Sequence, residues 1–322
     1  STPLAEVESN VALIRRQIII AGAIALVAAL VAAYLAAGAH ARRLRRLEAA
    51  AEEVADGNFS VPIPIDSNDE VGQLAMTFDE MQARLARLDS ARREFIANAS
   101  HELRTPIASL GGFLELLEED DPDEESRREF LRTMRGQVSR LERLAADLLD
   151  LSRIDSDAIS LHSEPLDLEE IAAEVAAEFA AVAARADTTI SCAEPSGHGP
   201  LARADRTRTT QILRILIDNA IKHTPDEATI TITTSSDAET ATVEVTDDGP
   251  GIPDEHIGRI FERFHTADSG AGSGLGLAIS RELSRLMGGD LRVASRPGRT
   301  TFTLTLPAIS KPDVIDTAGS AL

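Results

Sequence analysis

Ser100-His101-Glu102-Leu103-Arg104-Thr105-Pro106 is the stretch that decides the fold. It sets a nucleophile-capable imidazole directly before a carboxylate on a segment with helical periodicity. Pro106 has no N–H to give to the carbonyl of Glu102, so a kink is expected one turn past the histidine. Taken alone, the heptad also fits an ordinary kinked helix with an exposed histidine. Working outward, Leu103, Ile107, Leu110, Leu114 and Leu117 follow a 4-3-4-3 spacing on a helix expected from about Asp89 to Glu119. Asp120-Asp121-Pro122-Asp123 reads as a turn, and Leu131, Met134, Val138, Leu141, Ala145 and Leu148 repeat the alternation on a second helix. Two helices with such seams cannot bury both alone, so pairing with a second copy into a four-helix bundle is expected. His101 lies two residues before Leu103, about 200° around the helix, and so faces away from that core.

Upstream, Ile18 to Ala39 is a run of 22 residues without a charge. At ~1.5 Å per residue it is long enough to cross a ~30 Å hydrocarbon core. A buried soluble helix is the alternative, and a cleaved signal peptide would be shorter. Arg42, Arg43, Arg45 and Arg46 follow the run, against Arg15 and Arg16 before it, which orients the long C-terminal portion toward the cytoplasm. Leu44, Leu47, Ala51 and Val54 then recur at helical spacing up to Gly57. Asn58 to Ile65 must be extended because Pro62 and Pro64 forbid helix. Helical periodicity resumes at Asp69-Glu70-Val71-Gly72-Gln73-Leu74 and passes through Phe78, Met81 and Leu85. A plain juxtamembrane coiled coil would show the same periodicity.

Composition closes off other classes. A net charge of −21 argues against nucleic-acid binding, which needs basic stripes, and no Trp with one Tyr leaves no stacking platform. Cys192 is the single cysteine, so there is neither an intramolecular disulfide nor a cysteine metal site. Lys222 and Lys311 are the only lysines, which singles out Lys222 inside Asn219-Ala220-Ile221-Lys222-His223.

From about Leu161 the pattern changes to mixed strands and helices. Strands are expected at Thr229–Thr234, Ala241–Asp247, Asp290–Ala294 and Thr301–Leu306, with a long helix from about Arg206 to Lys222. Asn219 and Lys222 share one helix face, with His223 one turn from Asn219. An amide oxygen suits a Mg²⁺ shell, and an ammonium or imidazole steadies phosphates; the bland reading is a helix end. Asp247 closes a strand and runs into Asp248-Gly249-Pro250-Gly251-Ile252, where a carboxylate can accept a hydrogen bond and the glycines admit close approach. A surface turn has the same composition. Gly270, Gly272, Gly274 and Gly276 precede the apolar helix Leu277–Met287, so N–H groups face an anion site at its start. A Rossmann reading fails for want of the leading strand and the following acidic residue.

Together these segments resemble a sensor histidine kinase of a two-component system, from about Ile18 to about Pro307. The resemblance implies a multidomain fold: a transmembrane helix and HAMP helices, a dimeric four-helix bundle, then an α/β sandwich of the GHKL ATPase type. The domains it implies are an extracytoplasmic stub (1–17), the transmembrane helix (18–39) and a HAMP domain (40–88). A dimerisation and phosphotransfer domain (89–156), a catalytic ATP-binding domain (161–307) and a disordered tail (308–322) complete the chain.

The resemblance assigns His101 as phosphoryl acceptor, Glu102 as its proton partner and Thr105 as the residue that handles water in the reverse reaction. It assigns Asn219, Lys222, His223, Asp247, Gly249, Gly251, Gly272, Gly274 and Gly276 to ATP, with Asn219 also on Mg²⁺ and Asp247 selecting adenine. It implies a homodimer in the inner (plasma) membrane, its catalytic portion cytoplasmic, passing phosphoryl groups to an aspartate of a response regulator. The chain departs from the family at three places. Arg43 stands where the first HAMP helix usually begins with proline. Ile215 replaces the residue four before Asn219, a second asparagine in kinases and a water-activating glutamate in the hydrolysing relatives. The segment Pro297-Gly298-Arg299-Thr300 is one glycine short. Phe261 and Phe264 match the family's phenylalanine box, and the lid from His265 to Gly272 is short. The alternatives are an ATP-hydrolysing conformational machine and an ATP-binding scaffold without transfer.

Overall fold

The computed structural model describes residues 3–65, 69–119, 123–156, 158–193, 199–225, 227–266 and 272–309. The expected turn at Asp120–Pro122, Gly270 with most of the lid, and the tail from Ser310 onward lie outside the described residues. The chain divides into two compact units, residues 1–96 and 97–322.

In the first unit, α1 runs from Pro3 to Ala55 without interruption, so no break marks the expected boundary at residues 39 and 40. The side chains of Ile18, Ile24, Leu30 and Leu35 point outward along it, each more than 60% exposed. The extended segment after α1 folds back over it. Val61 and Ile63 pack with Leu47, Ala50, Ala75 and Phe78 into a small apolar core. The linker's backbone would be left unpaired by its two prolines, and Gln82 answers this need. Its amide donates to the carbonyls of Phe59 (2.9 Å) and Val61 (2.8 Å) from a nearly buried position. Arg43 reaches Asp69 at 3.2 Å.

Helix α2 runs from Glu70 to Glu119, unbroken through Pro106 and through the boundary expected at residues 88 and 89. Helix α3 spans Glu124–Asp155 and starts at Asp123, whose carboxylate caps the Ser126 N–H at 2.8 Å. In the second unit the two helices lead into β1 (Glu164–Asp167), α4 (Leu168–Arg185), β2 (Thr189–Cys192), β3 (Leu201–Ala204) and α5 (Arg206–His223). Then come β4 (Thr229–Ser236), β5 (Thr240–Asp247), the single turn α6 (Asp254–Ile257), α7 (Gly276–Leu286), β6 (Asp290–Arg296) and β7 (Arg299–Pro307).

Five strands form one sheet in the order β2-β4-β5-β7-β6, parallel only between β2 and β4, while β1 and β3 pair separately. Alternate residues of the central strands point to one face: Val243 and Val245 on β5, Phe302, Leu304 and Leu306 on β7. Leu213, Leu216 and Ile217 of α5 and Ile279 and Leu283 of α7 supply the opposing buried layer. Residues 308 and 309, expected in the tail, are instead tied to β3. Ala308 bridges Ala202, and the Ile309 N–H donates to the Leu201 carbonyl at 2.9 Å, so both belong to the fold.

Candidate active site

Three chain segments converge at one end of this sheet. The first is the end of β5. Asp247 is 7% exposed, and its Oδ1 accepts the Gly249 N–H at 3.0 Å. Burial pushes the Asp247 carboxyl up, with the Gly249 N–H pulling the other way. A Cβ on Gly249 would sit 2.8 Å from Asp247 Oδ1 and 3.0 Å from the Thr224 methyl, so only glycine fits there. Gly251 has φ +85°, and a Cβ would fall 2.6 Å from the Arg296 carbonyl. Asp248 also borders the cavity, and its Oδ1 accepts the Thr229 N–H at 2.8 Å.

The second segment is the last turn of α5, which presents Asn219, Lys222 and His223, with the Lys222 ammonium paired to Asp218. The third is the glycine segment that opens α7. Gly274 has φ +66°, and its carbonyl accepts the Phe264 N–H at 2.9 Å, Phe264 itself holding φ +61°. A Cβ on Gly276 would approach Ile215 to 3.0 Å, so Ile215 packs directly under the start of α7. Beside this segment His256 and His265 bring ring nitrogens to 3.3 Å; burial, and then Arg259 and His256, lower the His265 pKa.

These segments enclose a cavity of about 1080 Å³. All nine residues expected to hold nucleotide line it: Asn219, Lys222, His223, Asp247, Gly249, Gly251, Gly272, Gly274 and Gly276. Glu102 lines it too, whereas His101 and Thr105 lie outside its wall. His101 is exposed on α2, and the Thr105 hydroxyl donates to the His101 carbonyl at 3.4 Å. The Glu102 carboxylate is held by Arg140 of α3 at 3.0 Å, at part-buried positions on both sides.

Sequence reading missed the contribution of α3. Arg140, Arg143, Leu144 and Asp147 also line the cavity, and Asp147 accepts the Ser273 hydroxyl at 2.9 Å. Burial pushes the Asp147 carboxyl up against that hydrogen bond. Two further carboxylates tie α3 to the α/β part. Asp150 accepts from Gln211 at 2.7 Å and sits 3.5 Å from Arg208, and Asp155 receives both guanidinium nitrogens of Arg263 at 2.8 and 2.5 Å. The available signal was the i, i+3, i+7 spacing of Arg140, Arg143 and Asp147, which puts them on one face of α3.

The donor set fits an adenine nucleotide. A buried carboxylate with glycines that bar any Cβ suits a flat ring with an amino group. Glycine N–H groups at the start of the 11-residue α7, with Lys222, Arg140 and Arg143 around the cavity, suit a chain of phosphates. Among the described residues no group of three or more His, Cys, Asp or Glu is placed to hold a metal, and Asn219 is the amide on the cavity wall that suits a Mg²⁺ shell.

Fold and cavity together define a nucleotide-binding α/β domain of the GHKL class joined to a helical hairpin. Residues 204–310 match the family described as "Histidine kinase-, DNA gyrase B-, and HSP90-like ATPase", which implies ATP binding. Residues 91–157 match the "His Kinase A (phospho-acceptor) domain", and residues 35–87 match the "HAMP domain". The chain belongs to the sensor histidine kinases of two-component systems. It is 34% identical over 248 residues to the sensor-like histidine kinase SenX3 of Mycobacterium tuberculosis, covering 75% of this chain and 60% of SenX3. The probable sensor histidine kinase TcrY of the same organism is 33% identical over 306 residues, covering 88% of this chain and 64% of TcrY. The chain thus spans about 60% of the length of the curated relatives it matches. Among solved structures, histidine kinase ThkA in complex with response regulator protein TrrA is 28% identical with a TM-score of 0.59, over 75% of this chain and 68% of that one. Acinetobacter baumannii histidine kinase AdeS is 26% identical with a TM-score of 0.53, over 65% of this chain and 98% of that one.

Proposed function

We propose that this protein is a membrane-anchored, homodimeric histidine kinase that phosphorylates His101 from MgATP and passes the phosphoryl group to an aspartate of a response regulator. The observation that carries the reading is the sharing of one cavity. Glu102, directly after His101, lines the same cavity as the nine nucleotide candidates. In this reading Asp247 accepts the adenine amino group, the glycine segment and Lys222 hold the phosphates, and Asn219 completes the Mg²⁺ shell. ATP supplies the phosphoryl group, and positioning with charge neutralisation carries most of such a transfer. His101 attacks as the neutral imidazole, and Glu102, once released by Arg140, accepts or orients the proton on the far ring nitrogen. Thr105 lies one helical turn from His101, where its hydroxyl can orient water for dephosphorylation of the regulator.

Homodimer formation is supported by the exposed seam. Ile107 (57%), Leu114 (49%) and Leu131 (52%) leave about half their surface open in one chain. An inner (plasma) membrane anchor is supported by the apolar stretch of α1, whose side chains point outward, and a cytoplasmic catalytic part is supported by the arginine bias after it. We assign residues 18–39 to the span, 40–88 to the relay, 89–156 to dimerisation and phosphotransfer, and 161–307 to catalysis. A hydrolysing machine would need a base near the cavity's phosphate end, and Ile215 offers hydrocarbon there.

The test is incubation with γ-labelled ATP followed by acid and alkali treatment. Label that survives alkali and is lost in acid is expected on the native chain, with none on His101→Gln, which should still bind nucleotide within a few-fold. Undiminished labelling of His101→Gln would sink the assignment and point to His162 or His223.

A further inference from the structure

Three of the groups that a phosphate chain would want in this cavity, Lys222, Arg140 and Ser273, meet a carboxylate of the protein itself. Lys222 is paired with Asp218, Arg140 with Glu102, and the Ser273 hydroxyl donates to Asp147 at 2.9 Å. The Asp147 contact differs from the other two, because it brings an anion from α3, 126 residues away in sequence, into the glycine segment itself. Ser273 Oγ also accepts the Leu275 N–H at 3.3 Å, one residue before α7 begins, so Asp147 sits through Ser273 at the positive end of that helix.

We propose that Asp147 occupies the phosphate cradle as a competing anion, so that a bound triphosphate and the seating of α3 on the glycine segment exclude each other. This rests on the nucleotide reading above. Ser273 has one hydroxyl hydrogen and cannot give it to Asp147 and to a phosphate oxygen at once. A carboxylate left beside the phosphates would repel several negative charges in a part-buried site where screening is weak. Arg143 and Lys222 lie close enough to Asp147 to act on its charge, and both are cations the phosphates would recruit. Because coupling is reciprocal, nucleotide entry loosens α3 from the glycine segment to the extent that α3 weakens nucleotide. The device would keep an empty kinase folded against its own helix and release it when ATP arrives.

The experiment compares the full chain in detergent with Asp147→Asn and Asp147→Glu, without Mg²⁺ at pH 8, by titration calorimetry. The probes are adenosine and the non-hydrolysable analogue adenylyl imidodiphosphate. Asp147→Asn removes the charge and is expected to bind the triphosphate analogue about tenfold more tightly, ~1.4 kcal/mol. Adenosine affinity should stay within twofold, because the repulsion acts only on phosphates, and Asp147→Glu should stay near the native chain. The gain should shrink as salt is raised. Unchanged triphosphate affinity, or equal tightening of adenosine and triphosphate, would overturn the inference. Failure of the native chain to bind either probe would instead overturn the nucleotide reading on which it stands, so the two failures are told apart.

Discussion

Leu213, Leu216 and Ile217 on α5 are fully buried within one chain, whereas Ile107 and Leu114 on α2 and Leu131 on α3 leave about half their surface to solvent. Both sets are aliphatic residues on amphipathic helices, and the difference lies in what each helix faces. Helix α5 lies over the sheet and beside α4 and α7, so its apolar stripe is covered within the chain. Helix α3 packs on α7 toward its end, but around Leu131 it meets α2, with the rings of Phe130 and Phe113 5.5 Å apart. Apolar burial stabilises at roughly 25 cal/mol per Å², so the uncovered seam is a store of association energy that the α/β part has already used in folding. One part of this chain covers its apolar stripe internally, and the other leaves apolar surface that the proposed dimer would cover.

The hardest blow to that contrast is to charge the seam. Ile107→Asp combined with Leu131→Asp in a soluble 90–322 fragment should convert a dimer to a monomer, read by sedimentation at micromolar concentration. Circular dichroism should keep the strand signal of the α/β part. Loss of strand signal together with the dimer would mean that the two parts are not separable in this way. A native fragment that sediments as a monomer would remove the bundle argument altogether.

A core truncation sharpens the same contrast. Ile279→Ala on α7 should cost ~2–5 kcal/mol in denaturant melts, because the fully buried site cannot collapse around the void. That loss should not depend on protein concentration. Ile107→Ala should cost less, and its cost should fade as the protein is diluted below the range where the dimer is populated, since its burial comes through mass action with a second chain.

Within the α/β part the contrast is between residues that hold the sheet and those that wait for ligand. Asp247→Asn should weaken adenine-nucleotide binding by about 1–3 kcal/mol, the cost of an imperfect buried hydrogen bond, and leave folding nearly unchanged. Titration with an ATP analogue checks this, and unchanged affinity would remove Asp247 from the site.

The long elements were legible because period and length were unambiguous. The seams of α2 and α3, the apolar run of α1, and the alternation of β4, β5, β6 and β7 all show in single-chain patterning. The glycines were legible where a Cβ has no room, as at Gly249 and Gly251. What stayed hidden was short or distant. Strands β1, β2 and β3 have four residues each, too few for a period to register, and β2 gains its place by a parallel pairing with β4. The boundaries expected at 39/40 and 88/89 fall inside continuous helices, because helical propensity runs straight across those positions. Arg140 and Asp147 reached the site by packing of α3 against Ser273 and Glu102, contacts separated by 126 and 38 residues. Charged residues on an amphipathic helix read as a solvated face until the fold shows what stands opposite.

The smallest expected effect concerns Asp205, which joins the two sets of residues by capping the helix that carries Asn219 and Lys222. Its Oδ1 accepts the Arg208 N–H at 3.0 Å, and its Oδ2 accepts the His162 N–H at 2.9 Å. Desolvation would raise its pKa, yet these backbone donors, with the Arg208 charge, hold it below the usual carboxylate value. A carboxylate lowered on folding contributes stability above its unfolded pKa of ~3.9, and that contribution is lost as pH falls through the lower folded value. Asp205→Asn keeps one acceptor oxygen and must turn an NH₂ toward the other N–H, so about 1 kcal/mol should be lost at pH 7, in the range of a single cap. The gap between native and variant should stay constant from pH 7 to about pH 5 and narrow below about pH 4, as the native carboxyl takes up its proton. Urea midpoints of the 90–322 fragment measured across that range would show it. A gap that holds steady at pH 3 would mean that the Asp205 charge contributes nothing beyond the geometry of its oxygens.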